Sequence, residues 1–282
     1  MDTVAAVASF RFVVADVFTD VPFAGNQLAV FTDARGIPEE RLQPLAREIN
    51  FSETVFVYPA AGDGHALMRI FTPIVELPFA GHPVLGTAFV LGGPLQLDEL
   101  WLETGAGVVP VRLERDGSRI VFGWMRQPPF PFEPYDRADE LLALLGVEES
   151  GLPVELYRQG PGHVLIELDS PAAVAALRPD SGALLELSPY ATACFARDGE
   201  RWKARVFVPA HGVGEDPATG SAAGPLALHL ARHGRIAFGD EIEIRQGVEI
   251  GRPSTLYAVA RSPEDVEVGG SAVVVARGEF RL

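Results

Sequence analysis

The sequence predicts an α+β fold of two similar domains, each wrapping strands around one apolar helix, with a cleft between them. Three observations carry that reading. A series of helix and strand signals is interrupted by the proline-rich cluster 127–134 and then starts over. Each half contains a short small-residue turn running into a helix too apolar to lie on a surface. Apolar residues make up 48% of the 282-residue chain, enough to fill cores of that size.

Residues 10–18 are the first strand candidate and 27–31 the second. Residues 37–50 read as a helix with Pro38 at its first position and two acids following. Leu42, Leu45, Ala46 and Ile49 form its core stripe. Pro44 conflicts with a helix interior, where proline costs about 3 kcal/mol, so a kink or a later start is expected. Glu53 stands at the turn into a strand at 54–58, and a strand at 66–71 precedes the first apolar helix. Strands at 101–104, 108–114 and 119–122 follow it. The prolines of 127–134 lack the N–H that ladders and helices need, which sets the domain boundary there. The second half opens with a helix at 139–145, closed by Gly146. Strands at 164–168 and 205–208 lead to the second apolar helix, 221–233, closed by Gly234. Strands near 241–245, 256–260 and 273–276 finish the chain.

The two matched turns are Phe79-Ala80-Gly81-His82-Pro83 and Asp216-Pro217-Ala218-Thr219-Gly220-Ser221. Each sets one titratable side chain, His82 or Asp216, at a helix start. Unpaired N–H groups and a partial positive charge make such a start a seat for a carboxylate. Two of them facing each other would form an anion pocket flanked by an acid and a base. Glu53 is the third candidate, because Phe51 and Phe56 would wall it from water and raise its pKa toward neutrality. Each residue also has a plainer use. A lone glutamate at a turn is usually solvated, a buried histidine can simply be packed, and Asp216, Thr219 and Ser221 suit helix capping.

The net charge of −15 argues against nucleic acid, whose phosphates demand basic patches. It also requires that an anionic ligand be held locally, by helix starts or isolated cations. The longest apolar runs fall far short of the ~20 residues of a membrane span, and an acid, Asp2, stands where a secretory signal needs Lys or Arg. The single cysteine, Cys194, excludes an internal disulfide and fits a reducing compartment, so a soluble cytoplasmic protein is expected. His229 and His233 are one helical turn apart, like metal ligands, but no glutamate follows the first and no metal is assigned. Gly105-Ala106-Gly107 lacks the third glycine and the helix of a dinucleotide fingerprint. Cys194 reads as a small buried hydrophobe.

Taken together, these residues resemble the PhzF family, the phenazine-biosynthesis isomerases and their relatives with the diaminopimelate epimerase fold. The resemblance covers nearly the whole chain. It is carried by Arg69-Ile70-Phe71-Thr72-Pro73, by Glu76-Leu77-Pro78-Phe79-Ala80-Gly81-His82-Pro83 and by Glu215-Asp216-Pro217-Ala218-Thr219-Gly220-Ser221. A further run, Gln246-Gly247-Val248-Glu249-Ile250-Gly251-Arg252-Pro253-Ser254, resembles the phenazine-making members in particular. The resemblance implies two pseudo-symmetric half-barrel domains around central helices, 1–127 joined by the C-terminal strand 266–282, and 128–265. It implies a homodimer without metal or organic cofactor. It also implies a small anionic substrate, trans-2,3-dihydro-3-hydroxyanthranilate, isomerised to an amino-ketone that condenses toward phenazine. Glu53 matches the catalytic acid/base, His82 and Asp216 its polar helpers, and Ser52, Gly81, Gly220 and Ser221 match substrate-holding positions. Two positions depart from the pattern: Gln27 replaces a proline after Gly25-Asn26, and Gly162 stands where the phenazine-making members carry a basic residue.

Two other functions fit the same fold. Epimerases and racemases of this architecture oppose two cysteines, one per domain, whereas here neither helix junction carries a thiol and Cys194 has no partner. The other is a non-catalytic small-molecule-binding relative, against which stands the joint presence of Glu53, His82 and Asp216.

Overall fold

The computed structural model describes residues 8–282, and the acid-bearing N-terminal segment 1–7 lies outside them. The first half begins with β1 (Ser9–Val17), β2 (Asn26–Phe31), α1 (Glu39–Ile49), β3 (Glu53–Tyr58) and β4 (Ala66–Phe71). It continues with β5 (Glu76–Leu77), α2 (Gly81–Leu95), β6 (Glu99–Thr104), β7 (Gly107–Asp116) and β8 (Arg119–Arg126). The second half begins with β9 (Phe132–Pro134), α3 (Ala138–Leu145), β10 (Glu155–Tyr157), β11 (His163–Glu167), α4 (Pro171–Ala176) and α5 (Ser181–Leu187). Then come β12 (Ala191–Asp198), β13 (Arg201–Phe207), β14 (Glu215–Asp216), α6 (Gly220–Arg232) and β15 (Glu241–Gln246). The chain ends with β16 (Ser254–Ser262), β17 (Asp265–Gly270) and β18 (Ala272–Arg281).

All the strands belong to one large sheet, and its pairing pattern occurs twice. In the first half β2 and β3 are parallel, β3 and β4 antiparallel, and β4 and β6 parallel. In the second half β11 and β12 are parallel, β12 and β13 antiparallel, and β13 and β15 parallel. A parallel neighbour needs a crossover, and α2 and α6 are the corresponding ones. The halves are joined near the C-terminus, where β17 pairs with β8 on one side and β16 on the other, while β18 runs along β1.

Both crossover helices are core elements. α2 is buried from Gly81 through Val90 and α6 from Gly220 through Ala231, as their all-round apolar sequences require. Their side chains share one hydrophobic cluster, Val84, Leu85 and Ala88 from α2 with Ala222, Leu226 and Leu230 from α6. Smaller clusters lie under α1 and under α3–α5, the second containing Cys194. No helix among the described residues is long and apolar enough to cross a membrane.

Several local expectations change. Pro38 is the N-cap of α1 rather than its first residue. Pro44 neither ends α1 nor delays it, because it lies on the exposed face, where the carbonyl it leaves unpaired meets water. The proline cluster contains β9, which among the described residues pairs with β10 alone, and at such an edge Pro134 forfeits no ladder bond. Strand β12 has a weak sequence signal, because Ala191, Ala193 and Ala196 are poor strand formers. Burial between β11 and β13 makes it a strand.

The starts of α2 and α6 meet tip to tip. A Cβ built on Gly81 would lie 2.7 Å from the Gly220 carbonyl carbon and 2.7 Å from the Ser221 nitrogen. Only glycine lets the two backbones approach so closely. Gly81→Ala is therefore expected to destabilise by about 1–3 kcal/mol, although alanine is the better helix former. A thermal unfolding midpoint at or above the wild-type value would show that the tips are free to part.

Candidate active site

Glu53 is the first residue of β3, where the left-handed Asn50 at the end of α1 turns the chain back into the sheet. It faces the cleft rather than solvent. The period of two along β3 points Phe56 the opposite way, into the cluster under α1 where it stacks on Phe31, so Phe56 is not the expected wall. Phe51 does not line the cleft either. The apolar lining is Leu77, Ala80, Pro161, Val208 and Val213.

His82 is the second residue of α2 and is 3% exposed. Its Nε2 lies 3.4 Å from Glu53 Oε2, and neither atom has another partner among the described residues. Burial lowers the imidazole pKa to about 3, against the opposing effect of a hydrogen bond to the Gln27 backbone, so His82 is neutral at pH 7. The two facing atoms can therefore share a single proton, carried by the carboxyl or by the ring.

Asp216 ends β14, four residues before α6. Its Oδ1 accepts from Asn26 Nδ2 at 2.9 Å and Ser52 Oγ at 3.1 Å, and its Oδ2 from Thr219 Oγ1 at 2.6 Å. It does not cap α6, whose N-cap is Thr219 with no side-chain capping bond. Burial raises the Asp216 pKa to about 6, against the three hydrogen-bond donors, and the Glu215 charge adds to the rise. Burial pushes Glu53 well above the usual carboxyl range, and the charge of Asp216 pushes it further. Glu53 has no comparable set of donors, so of the two carboxyls it keeps its proton the longer.

Ser221 is the second residue of α6, with its Oγ 3.0 Å from His163 Nε2. Neither α2 nor α6 has a side-chain cap, which leaves first-turn N–H groups of both directed at the cleft. Ser52, Glu53, Gly81, His82, Asp216, Gly220 and Ser221 all line this one cleft.

Sequence reasoning missed four polar residues here. Asn26 reaches Asp216 and the Ala218 carbonyl, and Gln127 Nε2 donates to the Gly220 carbonyl at 2.8 Å. Gln246 holds the Asp216 backbone and Thr219, and His163 supports Ser221. Gln246, at the head of a recognisable run, and Asn26, in the Gly25-Asn26 pair, carried a signal of the family but not of these contacts.

The His229–His233 pair does meet a carboxylate, Glu155 of β10, at 3.2 and 3.3 Å, and the three donor atoms could surround an ion. Arg232 already occupies that ground, 2.6 Å from Glu155 Oε2 and 2.6 Å from the Tyr157 hydroxyl. Burial alone would raise Glu155, but donation from His229, Arg232, Tyr157 and His233 holds it below the usual range. Cys194 lies away from the cleft, and burial pushes its thiol up to about 12.

The family profile described as PhzC-PhzF, phenazine biosynthesis-like protein, matches residues 15–278. The chain belongs to that family. It is 51% identical over 276 residues to the trans-2,3-dihydro-3-hydroxyanthranilate isomerase of Pseudomonas aeruginosa, covering 96% of this chain and 99% of that one. Among solved structures, a protein described as a predicted epimerase, also from P. aeruginosa, superposes with a TM-score of 0.84 at 31% identity, covering 96% of this chain and 99% of that one. A hydroxyproline epimerase from Agrobacterium vitis has a TM-score of 0.69 at 13% identity, covering 97% and 93% of the two chains, and shares the mixed α/β fold.

The raised Asp216 pKa has a measurable sign. Its folded value, about 6, exceeds the unfolded 3.8, so the stability it contributes is present below 3.8 and is lost as pH rises through 6. His82 acts in the opposite sense, but equally in wild type and variant. Asp216→Asn is expected to gain stability relative to wild type between pH 4 and pH 7. Thermal unfolding of both proteins at the two values checks this, and an unchanged difference would mean that Asp216 titrates normally.

Proposed function

We propose that this chain is an isomerase that moves a proton on trans-2,3-dihydro-3-hydroxyanthranilate, in phenazine biosynthesis. The observation that carries the reading is a buried carboxyl, Glu53, beside a neutral His82 and a second carboxyl, Asp216. These groups lie between two uncapped helix starts in a chain half identical, along 96% of its length, to an enzyme of that name.

In this reading the substrate carboxylate binds to the N–H groups at Gly81 and Gly220, and Ser52 and Ser221 direct its polar substituents. Glu53, ionised, takes the proton from C3. The electron pair left there forms a new double bond and shifts the conjugation, and the same proton is returned at C1. An enol results, which relaxes to the ketone. No atom is gained or lost. One carboxyl reaching both carbons from one face suffices, and the Asp216 charge makes it basic enough. His82, neutral, orients the hydroxyl or amino group. The apolar side of the cleft suits the ring.

The repeated pairing pattern supports two half-barrel domains, 1–127 with 266–282 and 128–265. We also read the protein as a homodimer, on the family resemblance and the 48% apolar content, and as cytoplasmic with no nucleic-acid or membrane partner, a reading supported by the net charge of −15 and the single cysteine. Light scattering is expected to give about twice the chain mass of 30.3 kDa at micromolar concentration. A mass near one chain would refute the dimer.

Glu53→Gln preserves shape but cannot accept a proton. Incubation with the substrate, followed by absorbance and by mass detection of the condensed tricyclic product, is expected to show turnover reduced by at least ~10²–10⁴-fold while substrate still binds. Near-normal turnover by Glu53→Gln would move the chemistry to another residue. No wild-type turnover, with tight binding of a different carboxylate, would favour an isomerase or epimerase of other substrates or a non-catalytic binding protein.

A further inference from the structure

The reaction just described assigns nothing to Asn26, yet this residue lies where the halves of the site meet. It opens β2 and is fully buried. Its Nδ2 is 2.9 Å from Asp216 Oδ1, 2.9 Å from the Ala218 carbonyl and 3.2 Å from His82 Nδ1. Asp216 Oδ1, when ionised, and the carbonyl can only accept, so the amide must present its N–H bonds to them. The flipped amide would set Oδ1 against both oxygens. Oδ1 itself has no partner among the described residues, so the orientation of the amide rests on the bonds from Nδ2.

The turn before Asn26 is clamped. Gly25 has φ +67, and a Cβ there would lie 2.4 Å from the Val17 carbonyl oxygen. The Arg252 guanidinium donates to the carbonyls of Phe23, Ala24 and Gly25 and pairs with Asp16 at 2.6 Å. From the same segment, Gln246 Nε2 donates to the Asp216 carbonyl at 2.7 Å, and its Oε1 accepts from the Thr219 N–H at 3.1 Å. The run 246–252 therefore grips both the turn that carries Asn26 and the loop that carries its acceptors.

We propose that Asn26 is a positioning residue for the proton transfer: with its two N–H bonds directed at Asp216 and at the Ala218 carbonyl, its amide holds the Asp216 carboxylate beside His82 and Glu53, and Arg252 seats the turn that presents it. The inference rests on the isomerase reading above. The titratable and charged groups facing the array are Glu53 from β3, His82 from α2, and Asp216 and Glu215 from β14. Glu215 is paired with Arg205 of β13, and Arg252 with Asp16 stands behind the turn. An amide donor favours the ionised form of Asp216, so its loss makes the carboxyl pair hold its first proton to higher pH.

The test uses Asn26→Ala, Asn26→Asp and Arg252→Lys in the full chain. It follows kcat and KM against pH, and the carboxyl carbons of ¹³C-labelled Asp and Glu in the ligand-free protein. The two Asn26 variants are expected to lower kcat by roughly 10–100-fold with KM changed by less than about threefold. The rising limb of kcat/KM and the first carboxyl titration should both move to higher pH, furthest in Asn26→Asp. Arg252→Lys should move both in the same direction by less. Should the Asn26 variants not fold, Arg252→Lys carries the same readouts. Variants that only lower the melting temperature, with the pH limb and the carboxyl titration at wild-type positions, would overturn the proposal and leave Asn26 a packing residue. If the wild type fails to turn over the substrate, the isomerase reading falls alone, and the carboxyl titration still decides the role of Asn26.

Discussion

The contact between Gly81 and Gly220 is the constraint on which the rest of the site depends. Two helices that are apolar all round can be buried only if a sheet surrounds them, and here one connected sheet serves both. Burying their starts as well brings first-turn N–H groups into the interior, where they need partners. The close approach of the tips turns that need into a shared concave surface. Glycine at both tips is the steric condition for it, and His82 and Ser221, each one residue further along, are the side chains it aims into the cleft.

The electrostatics follow from the same burial. In a chain this acidic, two carboxyls in one dry cleft repel each other, and each would rather be neutral. They are distinguished by their neighbours. Asp216 has three donors, from Ser52, Thr219 and Asn26, while Glu53, among the described residues, faces a ring nitrogen that burial keeps uncharged. Asp216 is thereby built to ionise first, and its charge then strengthens Glu53 as a base. The duplicated topology supplies the asymmetry: the place in β12 that corresponds to Glu53 in β3 is Ala191, so the second half contributes no carboxyl there and supplies Asp216 from β14 instead.

A cleft formed between two halves requires that their spacing be fixed. Backbone bonds do part of this, because β17 is shared between β8 and β16 and β18 runs along β1. Side chains do the rest at the site itself, where Arg252 grips the turn after β1 and Asn26, at the end of that turn, reaches Asp216 and Ala218 before α6. These side-chain bonds join segments far apart in the chain, so the cleft forms only when the fold is complete.

Much of this was legible in the sequence. Apolar runs with glycine or proline at their ends located α2, α6 and α3, because burial and capping act locally. Glu53, His82 and Asp216 stood out because two similar turns and one further run resemble a known family. What the sequence could not disclose is what depends on direction and long-range register. Phe56 adjoins Glu53 along the chain yet faces away, because strand residues alternate. Pro44 is tolerated because its face of α1 meets water. Strand β12, rich in alanine, exists because its neighbours demand one. Asn26 gains importance only from Asp216, 190 residues later. Local chemistry thus determined the elements and named the reactive groups. Their mutual distances, and so the proton affinities that suit them to chemistry, were decided by tertiary packing, because burial and like-charge repulsion act through space rather than along the chain.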